Sequence, residues 1–285
     1  MDPAQGKQGV QHGAHVTWWG IANSRWPSVA PGLVGTLRAV NAPPASTPPL
    51  PDGSQALPPG LPARDPPPPP RPVAVPPGPP ARVFEDADLI VIDKPAGLLS
   101  VPGKGEAGAD HAWGRVLQDN PEALVVHRLD MGTSGLLVLA RHVQAQRALS
   151  RAFELRQVDK RYQALVWGTP PADQGEVDLP LACDWPRRPR QQVDRERGKP
   201  AQTRWSRLAP AGPHGARLLL EPLTGRSHQL RVHLQALGHP ILGDELYAPP
   251  AAVAAAPRLC LHAWRLDLQH PFTGQFLQLE APLPF

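Results

Sequence analysis

The chain has 285 residues, a net charge of +4 and only two cysteines. This length suffices for one large domain or two small ones. No stretch of about twenty uninterrupted apolar residues could span a membrane, and the first residues, MDPAQGKQGVQHG, lack the pattern of a signal peptide. Cys183 and Cys260 are too few for a disulfide framework and lack metal-ligand spacing. We therefore expect a cytoplasmic protein with two reduced, buried, structural cysteines.

Proline separates the chain into two parts. Of the 40 prolines, 21 precede Arg82, including the run Pro66–Pro70, and such a segment favours extended polyproline II over packing. Trp18, Trp19 and Trp26 are the main apolar anchors there, too few to offset the entropy of ordering the backbone. The sequence therefore predicts a disordered Pro-rich tail over residues 1–81 and a folded domain over residues 82–285.

The domain alternates short apolar strands with few helices. Period-2 and short apolar runs predict strands at 87–93, 123–126, 136–139, 161–167, 204–208, 217–223, 258–268 and 275–279. Helical spacing predicts helices at 111–119, 143–156 and 228–237, the last with Ser227 as N-cap and Gly238 as its stop. Strands in this mixed order predict an α+β fold on one large, mainly antiparallel mixed sheet flanked by helices.

The segment His127–Arg141, HRLDMGTSGLLVLAR, places a polar loop between two of the predicted strands. Gly132 and Gly135 permit sharp turns, and Asp130 is held at the mouth of the sheet, where working residues often lie. An aspartate that merely caps or turns the loop is the more common case. Spacing alone leaves both interpretations open.

The segment from Asp184 to Arg204 is the most basic part of the domain. A net charge of +4 is modest for a nucleic-acid binder, so binding would depend on such clustering. Its prolines and lack of apolar rhythm predict a long exposed loop, which is either functional or simply solvated. The basic residues are Arg187, Arg188, Arg190, Arg195, Arg197, Lys199 and Arg204.

Four stretches, in order, resemble the RluA family of pseudouridine synthases. They are DLIVIDKPAGLLSVPG at 88–103, HRLD with TSGLL at 127–137, KRYQALVWG at 160–168 and LTGRSHQLRVHLQALGHPILGDELY at 223–247. The resemblance covers nearly all of the chain from about Arg82 onward and leaves the tail unaccounted for. It implies the pseudouridine-synthase fold and a reaction that isomerises uridine in RNA without a cofactor.

The resemblance also implies site residues. Asp130 matches the catalytic aspartate, and Arg231 matches the arginine that pairs with it. Tyr162 matches the active-site tyrosine, which stacks near the flipped base and is a candidate for the C5 proton transfer. On the predicted helix, Arg231 lies off the stripe of Leu230 and its neighbouring leucines, so we expect it to point away from the densest packing. Without the resemblance, a core tyrosine and a surface arginine would be the ordinary interpretations.

Substrate contacts follow from the same motifs. Arg128 matches an arginine thought to enter the RNA stack where the base has left, although a loop salt bridge is an equal alternative. We also assign His127 and Leu230 to substrate binding, Leu230 being at least a core residue. The histidines do not form a His-x-x-x-His pair with an intervening carboxylate, so we expect no metal.

The segments VDLPLACDWPRRPRQ at 177–191 and GKPAQT at 198–203 resemble the subgroup that modifies both large-subunit ribosomal RNA and tRNA anticodon stem-loops. Residues before the domain are too proline-rich for the RNA-binding S4 domain that many relatives carry. We therefore expect a monomer that contacts RNA stem-loops through Arg187, Arg188 and Arg190. A single-target synthase, a non-catalytic RNA-binding protein and a proline-rich adaptor remain alternatives.

Overall fold

The computed structural model describes residues 71–105 and 108–285. The predicted disorder of the tail up to residue 70 lies outside these residues. Residues 71–80, also assigned to the tail, lie against the domain. Arg71 donates hydrogen bonds to the Glu245 carboxylate and the Val253 carbonyl at 3.0 Å each, and Arg115 donates to the carbonyls of Pro76 and Gly78 at 2.6 and 2.8 Å. The division at residue 82 stays a prediction.

The described residues form twelve strands and four α-helices. The strands are β1 Ala81–Glu85, β2 Leu89–Lys94, β3 Leu124–Val125, β4 Ser134–Ala140, β5 Asp159–Trp167, β6 Gln174–Asp178, β7 Leu181–Cys183, β8 Gln191–Val193, β9 Gln202–Pro210, β10 Gly215–Pro222, β11 Leu261–Gln269 and β12 Phe276–Glu280. The helices are α1 Ala112–Leu117, α2 Val143–Glu154, α3 Gln229–Ala236 and α4 Pro250–Ala254. The structure adds β1, β6, β7, β8 and α4 to the predicted elements.

Ten of these strands form one mixed sheet. Its path runs β1, β2, β4, β11, β5, β10, β9, β6, with β3 beside β4 and β12 beside β11. Only β4 and β11 pair in parallel among the described strands, His262 lying opposite Ser134. The predicted α+β architecture with a mainly antiparallel sheet is thus confirmed.

Alternating residues of β2 and β4 build two cores on opposite faces of the sheet, as a pleated strand requires. Val91 and Val138 pack with Leu149 of α2 on one face. Ile92 and Leu139 pack with the helix α1 on the other face. Each fully buried side chain of this kind stabilises the fold by roughly 1.5–3 kcal/mol.

A third core joins β5 and β10 to α3 through residues such as Val166, Leu220 and Leu234. Tyr162 packs against both this core and the core under α1. The middle of β5 is therefore the place where the two halves of the sheet meet.

Three local predictions were wrong. Cys183 is only partly buried, whereas Cys260 is buried as predicted. The N-cap of α3 is His228 rather than Ser227, and its backbone has the left-handed φ of 54°. The basic segment is no continuous loop, because β7 and β8 pair as a two-stranded ribbon with a 3₁₀ turn at Trp185–Arg187 between them. The predicted stop at Gly238 is correct, since its φ is +86°.

In the part of the chain that the structure describes, none of the helices is long and apolar enough to cross a membrane.

Candidate active site

The site is an open cavity of about 1620 Å³ at the centre of the sheet. Its walls come from the loop 127–133 before β4, from β5, and from the segment 222–231 that leads into α3. Asp130, Tyr162, Arg231, Arg128, His127 and Leu230 all line it. The structure thus brings together six side chains that span about a hundred positions of the sequence.

Asp130 lies on a loop clamped from both sides. Ser100 Oγ donates to the Leu129 carbonyl at 2.8 Å and accepts the Leu129 N–H at 3.0 Å. Gly97 N–H and Lys94 Nζ donate to the Met131 carbonyl at 2.9 and 3.2 Å. Because the residues before and after it are fixed, the Asp130 carboxylate, with 28% of its side chain exposed, reaches the cavity from a rigid support.

Lys94 forms the floor beneath this loop. Its side chain is fully buried, and Nζ also donates to the carbonyls of Pro95 and Leu98 at 2.9 and 2.7 Å. Burial lowers the pKa of Lys94 to about 7, although the nearby charge of Asp130 acts in the opposite direction. The three N–H groups of the protonated amine match three carbonyl acceptors, which fastens β2 to the loop 127–133.

The start of β4, just after the loop that carries Asp130, depends on glycine at one position. Gly135 has φ +110°, and a Cβ built there would collide with the Ala263 carbonyl oxygen. Any side chain would therefore push β4 away from β11. This close approach keeps the loop 127–133 at the mouth of the sheet.

Arg231 lies next to Asp130, as predicted, with Nη1 at 3.4 Å from Oδ2. Its closer partner is Asp244, bound through two hydrogen bonds at 2.8 and 2.7 Å. Burial disfavours the charge, but the hydrogen bonds and charge of Asp244, with the charge of Asp130, outweigh it and raise the pKa of Arg231. The expectation that Arg231 points away from the packing was wrong: its side chain is only 9% exposed.

Tyr162 presents its ring from β5 into the same cavity. Burial raises the pKa of Tyr162, and the negative charge of Asp130 raises it further. The phenol therefore keeps its proton at neutral pH. The neutral ring of Tyr162 can stack on a base, and its hydroxyl group can donate a hydrogen bond.

His127 lines the cavity, but its Nε2 accepts the Val138 N–H at 3.0 Å. The chain leaves the sheet after Val125, so the imidazole replaces the missing strand as an acceptor for β4. The ring also stacks on Phe153 at 4.5 Å, and burial lowers the pKa of His127 to about 3. These contacts give His127 a structural role, and its substrate contact stays a prediction.

Leu230 is buried in the core between α3 and β10 and also lines the cavity. Arg128 is exposed at the cavity mouth. Both positions are compatible with the predicted contacts to RNA, which no observation yet tests.

The β7–β8 ribbon carries Arg187, Arg188 and Arg190 beside the cavity. Pro189, between two of these arginines, lines the cavity. Arg188 stacks on Trp185, with its guanidinium carbon 3.4 Å from the ring centroid, and Trp185 is 68% exposed. Arg190 lies over the Tyr247 ring at 5.3 Å. Arg187 is paired with Asp184 at 2.6 Å, which reduces the charge it offers to a polyanion.

Sequence reasoning missed four residues around Asp130: Lys94, His228, Asp244 and Tyr247. Each lies within a stretch that carries the family resemblance, which was the one signal available. No spacing rule connects them to Asp130, because their proximity arises from the folding of distant strands.

Among the residues that the structure describes, one cluster outside the cavity has the composition of a metal site: Asp86, Asp88 and His270. Nδ1 of His270 accepts the Thr273 N–H at 3.0 Å, so Nε2 carries the ring proton. Nε2 faces the two carboxylates at 3.0 and 3.5 Å. Because Nε2 carries the ring proton, it has no free lone pair for a metal, and its approach to the carboxylates is an ion-pair distance without hydrogen-bond geometry.

Comparison with known proteins agrees with this geometry. The family described as RNA pseudouridylate synthase matches residues 88–236. The dual-specificity RNA pseudouridine synthase RluA of Escherichia coli K12 is 52% identical over 203 residues, which cover 71% of this chain and 93% of that protein. The protein of the same description from Pasteurella multocida Pm70 is 53% identical over the same shares.

Solved structures are similar as well. Human RNA Pseudouridylate Synthase Domain Containing 1 superposes with a TM-score of 0.62 at 29% identity, covering 72% of this chain and 84% of that one. Human RNA Pseudouridylate Synthase Domain Containing 4 gives 0.57 at 27% identity, with 71% and 88% covered.

Proposed function

This chain belongs to the family of RNA pseudouridine synthases, isomerases that convert uridine in RNA to pseudouridine, and we propose that it modifies both a large-subunit ribosomal RNA hairpin and tRNA anticodon stem-loops. The similarity to the dual-specificity enzymes supports this choice, since it extends over 93% of their length. The ribbon formed by β7 and β8 lies within residues 88–236, which the family model matches, and supplies a basic surface next to the cavity.

The observation that carries the assignment of roles is the Asp130 carboxylate, held 3.4 Å from the Arg231 guanidinium inside the cavity. In the reaction the C1′–N1 bond breaks, a C1′–C5 bond forms, C5 loses its proton and N1 gains one. A carboxylate must therefore act on the ribose or the base while the base turns. Asp130 supplies this group, and the Arg231 guanidinium lies beside it as the nearest cation.

The remaining roles follow from position. The ring of Tyr162, whose hydroxyl keeps its proton, offers a stacking surface for the turned base. Arg128, exposed at the mouth, fills the gap that the extruded nucleotide leaves in the RNA stack. Leu230 packs behind these groups. The rearrangement adds no atoms and changes no oxidation state, so the proposal includes neither metal nor cofactor.

A small recognition surface favours short RNA targets. In the part of the chain that the structure describes, the cavity and the adjacent ribbon are the surfaces that we assign to RNA recognition. Hairpin loops contain the unpaired bases that are cheapest to extrude. The exposed Trp185, with Arg188 against one face, adds a platform on which a base can stack. We extend the proposal to a monomer in the cytoplasm, where such RNAs are modified.

The test uses a minimal anticodon stem-loop and a minimal ribosomal hairpin with the same loop sequence. We expect both to be modified, and affinity to fall steeply with salt in proportion to the phosphates neutralised. Arg188→Gln with Arg190→Gln should weaken binding to both RNAs and flatten the salt slope, and Trp185→Ala should weaken binding about tenfold. Arg147→Gln on α2 and Phe276→Ala on β12 are the exposed controls.

If both hairpins are inert at saturating enzyme while intact ribosomal RNA is modified, the enzyme is a single-target synthase. If no RNA is modified but RNA still binds, the chain is a non-catalytic RNA-binding member of the family. Nucleotide-resolution mapping of pseudouridine in cells with and without the gene distinguishes these outcomes.

A further inference from the structure

His228 has a backbone conformation that its residue type rarely adopts. Its φ of 54° and ψ of 16° place it in the left-handed region, which costs a residue with a Cβ on the order of 1 kcal/mol. Strain of this kind persists where the surroundings hold a side chain in one place. Here it turns the imidazole toward the cavity, where only 13% of the side chain is exposed.

Tyr247 determines which ring nitrogen of His228 carries the proton. The Tyr247 hydroxyl oxygen accepts the backbone N–H of Gln191 at 2.8 Å, and it lies 2.6 Å from His228 Nδ1. Burial raises the pKa of Tyr247 to about 12, so the hydroxyl keeps its proton. With the oxygen already accepting a bond, this proton is best used by donation to Nδ1, which places the imidazole proton on Nε2.

Nε2 of His228 faces Asp130, at 3.9 Å from Oδ2. Arg231 Nη1 approaches the same oxygen at 3.4 Å. Burial lowers the pKa of His228 and outweighs the opposing charges of Asp130 and Asp244, while Arg231 lowers it further. A neutral imidazole with an Nε2 proton therefore points at Oδ2, about 1 Å beyond hydrogen-bond length.

We propose that His228 is a positioning residue for Asp130: its Nε2–H, held in this tautomer by Tyr247, closes onto Oδ2 when a nucleotide fills the cavity. Hydrogen bonds in an empty active site are often longer than in the substrate complex. With His228 and Arg231 both on Oδ2, the carboxylate cannot rotate, and Oδ1 is directed at the substrate. The proposal rests on the catalytic role of Asp130 made above.

Three variants separate this role from a purely structural one. His228→Asn removes Nε2 but keeps an acceptor for the Tyr247 hydroxyl, and asparagine tolerates the left-handed backbone. His228→Gln returns an amide N–H to the position of Nε2. Tyr247→Phe removes the group that fixes the tautomer. His239→Asn is the control, because His239 follows α3, contacts the Trp167 carbonyl and does not line the cavity.

The single-turnover rate on a hairpin RNA and the dissociation constant of that RNA are measured for each variant. We expect His228→Asn to lower the rate about 10- to 100-fold, the effect of one hydrogen bond to a charged group, with the dissociation constant within about twofold of the wild type. His228→Gln should recover much of the rate, Tyr247→Phe should lower it about tenfold, and His239→Asn should change neither quantity.

A wild-type rate in His228→Asn would overturn the inference. The inference would also be overturned if both His228 variants lost rate, melting temperature and RNA affinity together, because that pattern indicates a structural role. If His228→Asn does not fold, an unchanged rate in Tyr247→Phe overturns the proposal. A wild-type enzyme that modifies no RNA would instead overturn the proposed function, and with it this inference.

Discussion

Arg231 is held by Asp244 rather than by Asp130. Nε and Nη2 of Arg231 donate to the two carboxylate oxygens of Asp244 at 2.8 and 2.7 Å. Asp244 is fully buried, and it also accepts the backbone N–H groups of Leu246 and Tyr247 at 3.0 and 3.3 Å. The guanidinium is thereby fixed before substrate arrives, with Nη1 left for Asp130. A preorganised cation of this kind stabilises charge without moving during the reaction.

We expect Arg231→Met to lose activity and stability together. The change leaves the fully buried Asp244 carboxylate without its cation, which costs about 3–5 kcal/mol for a buried pair. Urea unfolding measures this loss, and single-turnover assays measure the activity. Arg151→Met is the matched control, because the Arg151–Glu154 pair is 64% and 70% exposed and should contribute less than about 1 kcal/mol. Unchanged unfolding of Arg231→Met would contradict the dominance of the Asp244 pair.

Asp130→Asn should abolish isomerisation while leaving folding and RNA affinity nearly intact. The side chains have the same size, and Arg231 remains bound to Asp244. Tritium release from RNA labelled at uridine C5 measures the reaction, with Asp119→Asn at an exposed position as control. Detectable turnover by Asp130→Asn with enzyme in excess would exclude Asp130 as the catalytic group.

Acid should destabilise the domain through His127. Burial, followed by the charge of Lys160, lowers the pKa of His127 to about 3, whereas the unfolded chain has a value near 6.5. The unfolded state therefore binds more protons between these values. The stability from the neutral ring is complete above about pH 6.5 and is lost as the pH falls, at up to about 1.4 kcal/mol per pH unit.

His127→Gln tests this source of acid sensitivity. The glutamine oxygen can accept the Val138 N–H in place of Nε2 but does not titrate. The free energy of unfolding of His127→Gln should therefore decline less than that of the wild type between pH 6.5 and 4.5, with the exposed His214→Gln as control. Parallel curves for His127→Gln and the wild type would show that other groups dominate the acid response.

The thermal stability of N-terminally shortened chains should depend on whether residues 71–79 are kept. The composition alone predicts that a chain starting near Pro80 melts like the full length. The structure instead places Arg71 on Glu245 and Arg115 on two carbonyls of the segment 71–80. Thermal melting should therefore match the full length for a chain starting at Arg71 and fall by several degrees for one starting at Pro80. Equal melting of the two shortened chains would show that these contacts add no net stability.

The sequence alone predicted most of the long strands and helices and the position of the loop 127–133. Strands such as β2, β4 and β5 were predictable because alternation and apolar runs are local properties of the chain. The resemblance of HRLD and its neighbouring motifs identified Asp130, Tyr162 and Arg231 as a site. Each of these three residues lies within a motif that can be read from the sequence around it.

Only the tertiary structure decided what surrounds Asp130. Asp244 lies 114 positions further along the chain, and the bonds that join it to Arg231 depend on how the segment after α3 packs under the helix. The left-handed backbone of His228 was equally hidden, since Ser227 is the better N-cap by residue type. The preference of one residue type over another at an N-cap amounts to about 1 kcal/mol. The contacts of His228 with Tyr247 and Asp130 arise from tertiary packing, which no local sequence pattern encodes.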